Sequence, residues 1–388
     1  MKPKYLFSAI MFTYFAASAI LFPLFTLYLS RSFTPDQIGI LMAIVPVSMI
    51  FFQPIWGKIA SRFEIQPILV LNLSLAAVSA VGLIFVKTFI EYFIVLSIYS
   101  VFVVSILPLI DALVLSTDSK HYGNIRLWGS IGYGLAVFFN GTFKSNLLGF
   151  WSFILHICFL IITIIFVINI PRVPLSKVTR NNKRDSNGKK PSPFLNKQFL
   201  VMVTASLMIG ITTKAYDSFF PIGLTALHAS DLLLGSSWII EIIPEVIIFI
   251  ILDKLASKVP SKIILVTGIF IWAIRMAILS IFPVLWVWIS TQPLNSLAFC
   301  FWYFGTNKTL NTTLTSDQRI QGISIFWAIT YGIGGVAGSL ISGFIVNKFG
   351  IPILFGFISA CCFIAFLLCS QAVVKRQLNL DQTVQDKL

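Results

Sequence analysis

The stretch Tyr5–Leu29 reads YLFSAIMFTYFAASAILFPLFTLYL and contains no charged residue. Lys2 and Lys4 precede this apolar run, which contains small residues, so the start of the chain imitates a secretory signal. The apolar region of such a signal is about 7 to 15 residues long. The run here is longer, and about 20 apolar residues are enough for a helix to cross the hydrocarbon core of a bilayer. Tyr5–Leu29 is therefore predicted to be a membrane-spanning helix.

Runs of this kind recur along the whole chain. The sequence predicts twelve spans, at residues 5–29, 37–57, 67–86, 92–117, 123–143, 149–170, 198–222, 232–252, 262–281, 284–307, 319–345 and 351–373. Hydrophobic residues make up 57% of the chain and charged residues only 11%, whereas soluble proteins carry about 25% charged residues. No segments of alternating polarity typical of barrel strands occur. The predicted fold class is an all-α integral membrane protein.

The net charge of +14 comes mostly from Lys and Arg residues in short gaps between the apolar runs. If the N-terminus is cytoplasmic, the outside loops keep only Arg31, Lys87, Lys144 and Lys348. Cytoplasmic loops carry an excess of Lys and Arg, so we expect a multi-pass protein of the cell (plasma or inner) membrane with both termini cytoplasmic. Because the basic residues form no continuous patch, no nucleic-acid partner is expected.

One long polar segment, residues 171–197, is rich in Lys, Arg, Asn, Ser and Pro. Such a composition is typical of a linker. It predicts an N-terminal six-helix bundle at 1–170, a cytoplasmic linker at 171–197, a C-terminal six-helix bundle at 198–373 and a cytoplasmic tail at 374–388.

The two bundles also share short sequence echoes. Gly39 followed by Lys58–Arg62 is matched at a constant offset by Gly235 followed by Lys254–Lys258. Six spans return the chain to the side on which it started, so the halves are predicted to be parallel repeats, an arrangement typical of transporters.

Several ionisable side chains lie inside predicted spans, where each costs about 2.5 to 3.5 kcal/mol unless it is paired or faces water. They are Asp111, Arg126, Lys214, Asp217, Glu241, Glu245 and Arg275. Asp111 and Arg126 flank the turn between spans four and five and are predicted to face each other at matching depth. An acid and a guanidinium suit a polyhydroxylated ligand or a carboxylate. A purely structural ion pair is the alternative.

Glu241 and Glu245 are four residues apart and lie on one face of span eight. Two carboxylates in a low dielectric cannot both stay ionised cheaply, so one is a candidate proton carrier with Arg275 as its partner. Lys214 and Asp217, on span seven, can pair with each other or with this group. The alternative is a charge-balanced network that only holds the C-terminal half together.

The run Tyr122–Tyr133, YGNIRLWGSIGY, resembles the helix-five signature of the major facilitator superfamily, in the branch of the lactose and phenylpropionate permeases. In that branch an arginine binds substrate and a following aromatic residue stacks on it, which implies these roles for Arg126 and Tyr133. The family's helix-four acid is matched by Asp111 after Pro108. The resemblance implies twelve transmembrane helices in two parallel six-helix halves.

Two departures from the family pattern matter. The loop after span two resembles the gating motif at Gly57, Lys58 and Arg62 but has Ser61 in place of an aspartate. Its counterpart in the second half would be formed by Asp253, Lys254 and Lys258. Span ten lacks the histidine and the acid of the lactose permease, so proton coupling would fall to Glu241, Glu245 or Asp217.

The predicted function is proton-coupled symport of a small polar solute, either a sugar or oligosaccharide or a nucleoside, by alternating access. A permease for small aromatic carboxylic acids and an exporter of drugs or metabolites are alternatives with the same fold. A non-transporting membrane solute sensor is an alternative of a different class. No catalytic motif such as HExxH or GxSxG is present, so no enzyme activity, cofactor or metal site is predicted. The expected partners are the solute, protons and lipid, and the protein is expected to be a monomer.

Overall fold

The computed structural model describes residues 3–142, 150–170, 193–255 and 258–385. Across these ranges the chain forms helices and turns, with no β-strand. The all-α fold class predicted from the sequence is confirmed.

The first six helices match the first six predicted spans. They are α1 Pro3–Leu29, α2 Pro35–Ala60, α3 Ile65–Phe85, α4 Phe89–Asp118, α5 Tyr122–Thr142 and α6 Phe150–Ile168. Within this group α1 packs against α5 and α6, while α4 packs against α2 and α3. The central position of α1 explains why most of its apolar run is buried inside the protein.

The following helices are α7 Lys197–Ala226, α8 Asp231–Leu255, α9 Ser261–Ile281, α10 Leu285–Ser290, α11 Gln292–Thr313, α12 Ser316–Trp327, α13 Gly334–Phe349 and α14 Ile351–Gln385. A π-helical segment, Ala328–Ile333, joins α12 to α13. If α10 is counted with α11, and α12 with the π-helix and α13, the described residues form twelve helical rods, as predicted. In this group α9 packs against α11 and α14.

Predicted span ten differs from the observed helices. Instead of one helix over 284–307, the chain breaks at Thr291, and α11 then extends to Thr313. Pro293 stands at the start of α11, where its missing N–H costs nothing and its fixed φ suits a new helix. Lys308, which directly follows the predicted span 284–307, therefore lies within α11.

Ten helices of the described chain are long and apolar enough to cross a membrane. The two rods that fall short are α5 and α11, because polar residues interrupt their apolar runs. Polar residues are expensive in a bilayer and mark functional positions. The same two helices carry much of the candidate site described below.

The described helices divide between two compact units. The first contains α1 to α6 together with Phe220–Ile239, and the second contains the remaining described residues of 193–219 and 240–385. Most of the predicted linker, residues 171–192, lies outside the described ranges. The domain boundaries predicted from the sequence stay a prediction.

Buried polar side chains tie α1 to its neighbours in the first unit. The His156 ring contacts the Ala17 carbonyl oxygen through Nδ1 at 2.8 Å and the Tyr99 hydroxyl through Nε2 at 3.1 Å. Asn140 Nδ2 donates to the Ile20 carbonyl oxygen at 2.6 Å. Backbone and side-chain polar groups inside a membrane protein must find partners within the protein. These contacts therefore set the register of α1 against α4, α5 and α6.

Candidate functional site

Asp111 and Arg126 lie in the same unit, on α4 and α5, and each has its own neighbour. Tyr122 donates its hydroxyl to Asp111 Oδ1 at 3.1 Å. The guanidinium of Arg126 lies over the ring of Phe15, 4.1 Å from its centroid. Gly129 leaves room for this arrangement, since a Cβ there would meet both Phe15 and Arg126. A cation held over an aromatic face keeps its hydrogen-bond donors available.

No salt bridge within 4.0 Å joins these two charges, although both residues belong to the described chain. They interact electrostatically over a longer distance. Tyr14 is within electrostatic range of both groups. The sequence predicted that Asp111 and Arg126 face each other. The structure places them near each other without a direct salt bridge.

Tyr133, the predicted stacking residue, packs against a small cluster formed by Ala19, Val137 and Trp238. Trp238 lies on α8 and belongs to the same unit as Tyr133. Sequence reasoning did not single out Trp238. The sequence did contain a signal for Trp238: it lies one turn before the candidate acid Glu241 and shares a helix face with it.

Arg275, on α9, is fully buried at 0% exposure. Its Nε donates to the Thr291 carbonyl oxygen at 3.0 Å, and its Nη1 donates to Asn295 Oδ1 at 2.8 Å. Its Nη2 donates to Gln292 Oε1 at 2.6 Å and to the Tyr216 hydroxyl at 3.1 Å. Burying a charge is costly unless such bonds satisfy it. The guanidinium thereby holds the break between α10 and α11 at Thr291.

Asn295 connects this arginine to a carboxylate. Its Nδ2 donates to Glu241 Oε1 at 2.6 Å, while its Oδ1 accepts from Arg275. The Ser296 hydroxyl donates to the Glu241 carbonyl oxygen at 2.5 Å. Glu241 Oε2 is buried and has no hydrogen-bond partner among the described residues. The sequence predicted Arg275 as the partner of the glutamates, and the structure inserts the Asn295 amide between Arg275 and Glu241.

Gln292, Asn295 and Ser296 were missed by sequence reasoning because span ten lacks charged residues at these positions. They are spaced three and four residues apart, so they share one face of α11. A polar stripe inside an apolar span was the signal that could have identified them.

Glu245, Lys214 and Asp217 complete the charged group of the second unit. Glu245 is half-buried and interacts electrostatically with Glu241. Lys214 and Asp217 interact electrostatically, but no salt bridge within 4.0 Å joins them in the described part of the chain. The Asp217 side chain is exposed. Charged groups within membrane helices face the protein interior or a water-filled cavity, so this exposure indicates an aqueous surface.

The sequence matches the model of the MFS_1 like family over residues 5–357. This chain is a member of that family of major facilitator transporters. The superfamily predicted from the helix-five signature is therefore confirmed. The match also makes the chain a multi-pass membrane transporter whose substrate is a small molecule.

Relatives and solved structures agree with this assignment. The uncharacterized transporter YwbF of Bacillus subtilis (strain 168) is 25% identical over 373 residues, covering 92% of this chain and 90% of the relative. The maltose permease of Geobacillus stearothermophilus is 23% identical over 378 residues, covering 94% and 93%. The nucleoside transporter NupG superposes with a TM-score of 0.81 at 17% identity, covering 96% of this chain and 99% of that chain. A bacterial homologue of the lysosomal transporter Spinster superposes with a TM-score of 0.68 at 12% identity, covering 95% and 94%. At these identities the structures show the fold alone.

In this transporter the predicted gating loop lies at the end of α2. Gly57, Lys58 and Arg62 are exposed there. The Ser61 hydroxyl donates to the Lys58 carbonyl oxygen at 2.8 Å, so the serine closes the helix end locally. In the second half Lys258 is exposed, and the side chains of Asp253 and Lys254 lie outside the described residues. The gating role of this loop stays a prediction.

Within the described residues, no group of three or more His, Cys, Asp or Glu side chains is gathered to hold a metal ion. The side chains gathered around Arg275 and Glu241 are hydrogen-bond donors and acceptors. Donors and acceptors of this kind have the chemistry to contact a polar solute, and a carboxylate can hold a proton.

Proposed function

We propose that this transporter is a proton-coupled symporter of a small polar solute, either a sugar or a nucleoside, which works by alternating access. It would reside in the cell membrane as a monomer with both termini cytoplasmic, and would move the solute without chemical change. The names of the maltose permease and of the nucleoside transporter NupG support these two solute classes.

This proposal rests on the burial and hydrogen bonding of the Glu241 carboxylate. Oε1 is held by Asn295, and Asn295 is oriented by Arg275, whereas Oε2 is buried without a partner in the described chain. A buried carboxylate oxygen without a donor costs free energy. A proton bound at Oε2, or a solute hydroxyl donating to it, removes that cost. Glu241 is thus suited to couple proton binding to solute binding.

Arg126, Asp111 and Tyr133 supply the solute contacts in the first unit. Arg126 is positioned over Phe15 with its donors available, and Asp111 provides carboxylate oxygens nearby. Donors and acceptors separated in this way match the hydroxyl groups of a sugar or ribose. Glu245 and Asp217 remain candidates to share the proton with Glu241 during the transport cycle.

The test uses purified protein in liposomes with an internal pH dye and an inward gradient of maltose, uridine or adenosine. We expect internal acidification with one solute class, and its loss in Glu241→Gln and in Arg126→Ala. Glu91→Gln is the matched control, because Glu91 is exposed and its carboxylate interacts locally with Lys87 and Thr88, whose backbone N–H groups donate to it.

Retained acidification in Glu241→Gln would remove this residue from the coupling mechanism. Solute binding without any proton movement in the wild-type protein would contradict symport and indicate a sensor or another coupling ion.

A further inference from the structure

Four aromatic rings form a column in the second unit. Phe299 stacks on Tyr303 with centroids 5.8 Å apart and planes at 24°. Tyr303 lies 5.4 Å from Trp327 at 33°, and Trp327 lies 5.4 Å from Tyr331 at 9°. Tyr303 is 39% exposed and Tyr331 is 37% exposed. The column therefore begins among partly buried rings and ends at Tyr331, whose other face meets no further ring among the described residues.

The column is braced from the side by rings set edge-on. Trp302, which is almost fully buried, meets Trp327 at 88° with centroids 5.7 Å apart. Phe249 meets Phe299 at 88° and Tyr303 at 90°. Edge-to-face contacts of this kind are favourable beyond the area that they bury. The stacked rings are thus held in place before any ligand arrives.

The last ring of the column stands on an irregular backbone. Tyr331 lies in the π-helical segment Ala328–Ile333, and single π-turns inside α-helices occur frequently at functional sites. This segment lies directly against α7, because a Cβ at Gly210 would collide with the backbone of Thr330, and one at Gly334 would meet the backbone of Gly210. Glycine allows this close approach of the two backbones.

One charged residue of α7, Asp217, also lies near the column. Gly210, Lys214 and Asp217 are spaced four and three residues apart, so they share one face of α7. Asp217 and Tyr303 both interact electrostatically with the Tyr331 hydroxyl. Asp217 is exposed, and a charged group within a membrane helix faces water, so the partly exposed Tyr331 lies near an aqueous surface.

We infer that the outer face of Tyr331 is a stacking subsite for a planar ring with hydrogen-bonding groups on its edge, such as the base of a nucleoside. The ring would continue the parallel stack of Trp327 and Tyr331, while Asp217 would accept from an edge N–H and Lys214 would donate to a carbonyl oxygen. A sugar ring contacts an aromatic face only through C–H groups and has no edge N–H and carbonyl pair, so a planar base would gain more from this stack and from Asp217 and Lys214. This inference rests on the proposed transport function and narrows its solute class to nucleosides.

The test measures equilibrium binding of uridine and adenosine in detergent, without any gradient, by tryptophan fluorescence and isothermal titration calorimetry. Stacking of a base on an aromatic side chain is worth about 1 to 3 kcal/mol, that is, roughly 5- to 150-fold in affinity. We therefore expect Tyr331→Leu to weaken binding by about tenfold or more, and Tyr331→Phe to stay within about threefold of the wild type. Asp217→Asn should weaken binding while the fluorescence change on binding persists.

Trp286→Leu is the matched control, because Trp286 is an aromatic residue of the same unit that is 67% exposed and lies outside the column. Its nucleoside affinity should equal that of the wild type. A single symmetric peak in size exclusion shows that each variant is folded before it is titrated.

Wild-type affinity in Tyr331→Leu would overturn the inference. The inference would also be overturned if the wild-type protein bound neither nucleoside. It would be overturned as well if ribose displaced bound uridine as effectively as unlabelled uridine does. Proton entry with maltose together with no nucleoside binding would overturn the subsite and leave symport intact. Nucleoside binding without proton entry would overturn symport and leave the subsite intact.

Discussion

Replacement of Asn295 by leucine tests whether the buried amide couples Glu241 to Arg275. The change removes one hydrogen bond to each of these groups while keeping a side chain of similar size. A hydrogen bond to a charged group contributes about 1.5 to 3 kcal/mol, so the two bonds together amount to about 3 to 6 kcal/mol. Neutral bonds between membrane helices contribute less, about 0.6 kcal/mol on average. We therefore expect a loss toward the lower end of this range.

The assay is reversible unfolding in mixed micelles, run as a double-mutant cycle with Glu241→Leu. A direct contact predicts a coupling free energy of about 1 to 3 kcal/mol between the two positions. Asn307→Leu is the control on the same helix, since Asn307 donates to the Tyr303 carbonyl oxygen within α11, and it should show no coupling to Glu241. Coupling below about 0.5 kcal/mol for Asn295 would refute the bridge between the carboxylate and the arginine.

Three further predictions concern the first unit. Gln66→Leu should lower the free energy of unfolding, measured in the same micelles, by about 1 to 3 kcal/mol. The reason is that the Gln66 amide nitrogen donates to three backbone carbonyl oxygens at the end of α6. Unchanged stability would contradict this capping role. Phe15→Ala should weaken solute binding by about 0.5 to 2 kcal/mol through loss of the cation–π contact that positions Arg126, whereas Phe15→Tyr should retain affinity in the same titration. Gly132→Ala should reduce the amount of folded protein recovered, since a Cβ there collides with the Phe12 backbone on α1; normal yield and melting temperature would show that α1 and α5 can move apart at little cost.

The helices could largely be predicted from local sequence, and the exceptions have identifiable causes. Apolar runs of about 20 residues predicted twelve rods, because the bilayer sets the length of a span. The break at Thr291 was missed, although Pro293 was visible, since a proline inside a span more often kinks a helix than divides it. The π-helix at Ala328–Ile333 has no local signal, and it arises where the backbone packs against Gly210.

The candidate site was predictable only in its charged members. Glu241, Arg275 and Asp217 could be named because each is costly inside a membrane. Their partners could not be assigned, because Asn295 and Gln292 are uncharged and lie on a helix that is distant in sequence from Glu241. The aromatic column could not be predicted from the sequence either. Tryptophan and tyrosine are common in membrane proteins, and only the stacking geometry distinguishes these rings.

The sequence by itself determined that this protein is a helical membrane transporter and which of its residues carry charge into the bilayer. The spans and the cost of the charged residues follow from the transfer of single helices or side chains into hydrocarbon, which can be evaluated one segment at a time. The transporter family follows from the sequence match over residues 5–357. The tertiary structure alone decided that an amide separates Arg275 from Glu241, that Asp111 and Arg126 stand apart, and that Tyr331 ends a stack of rings. Hydrogen bonds and ring contacts depend on distances of a few ångströms between helices, and those distances exist only once the helices have packed.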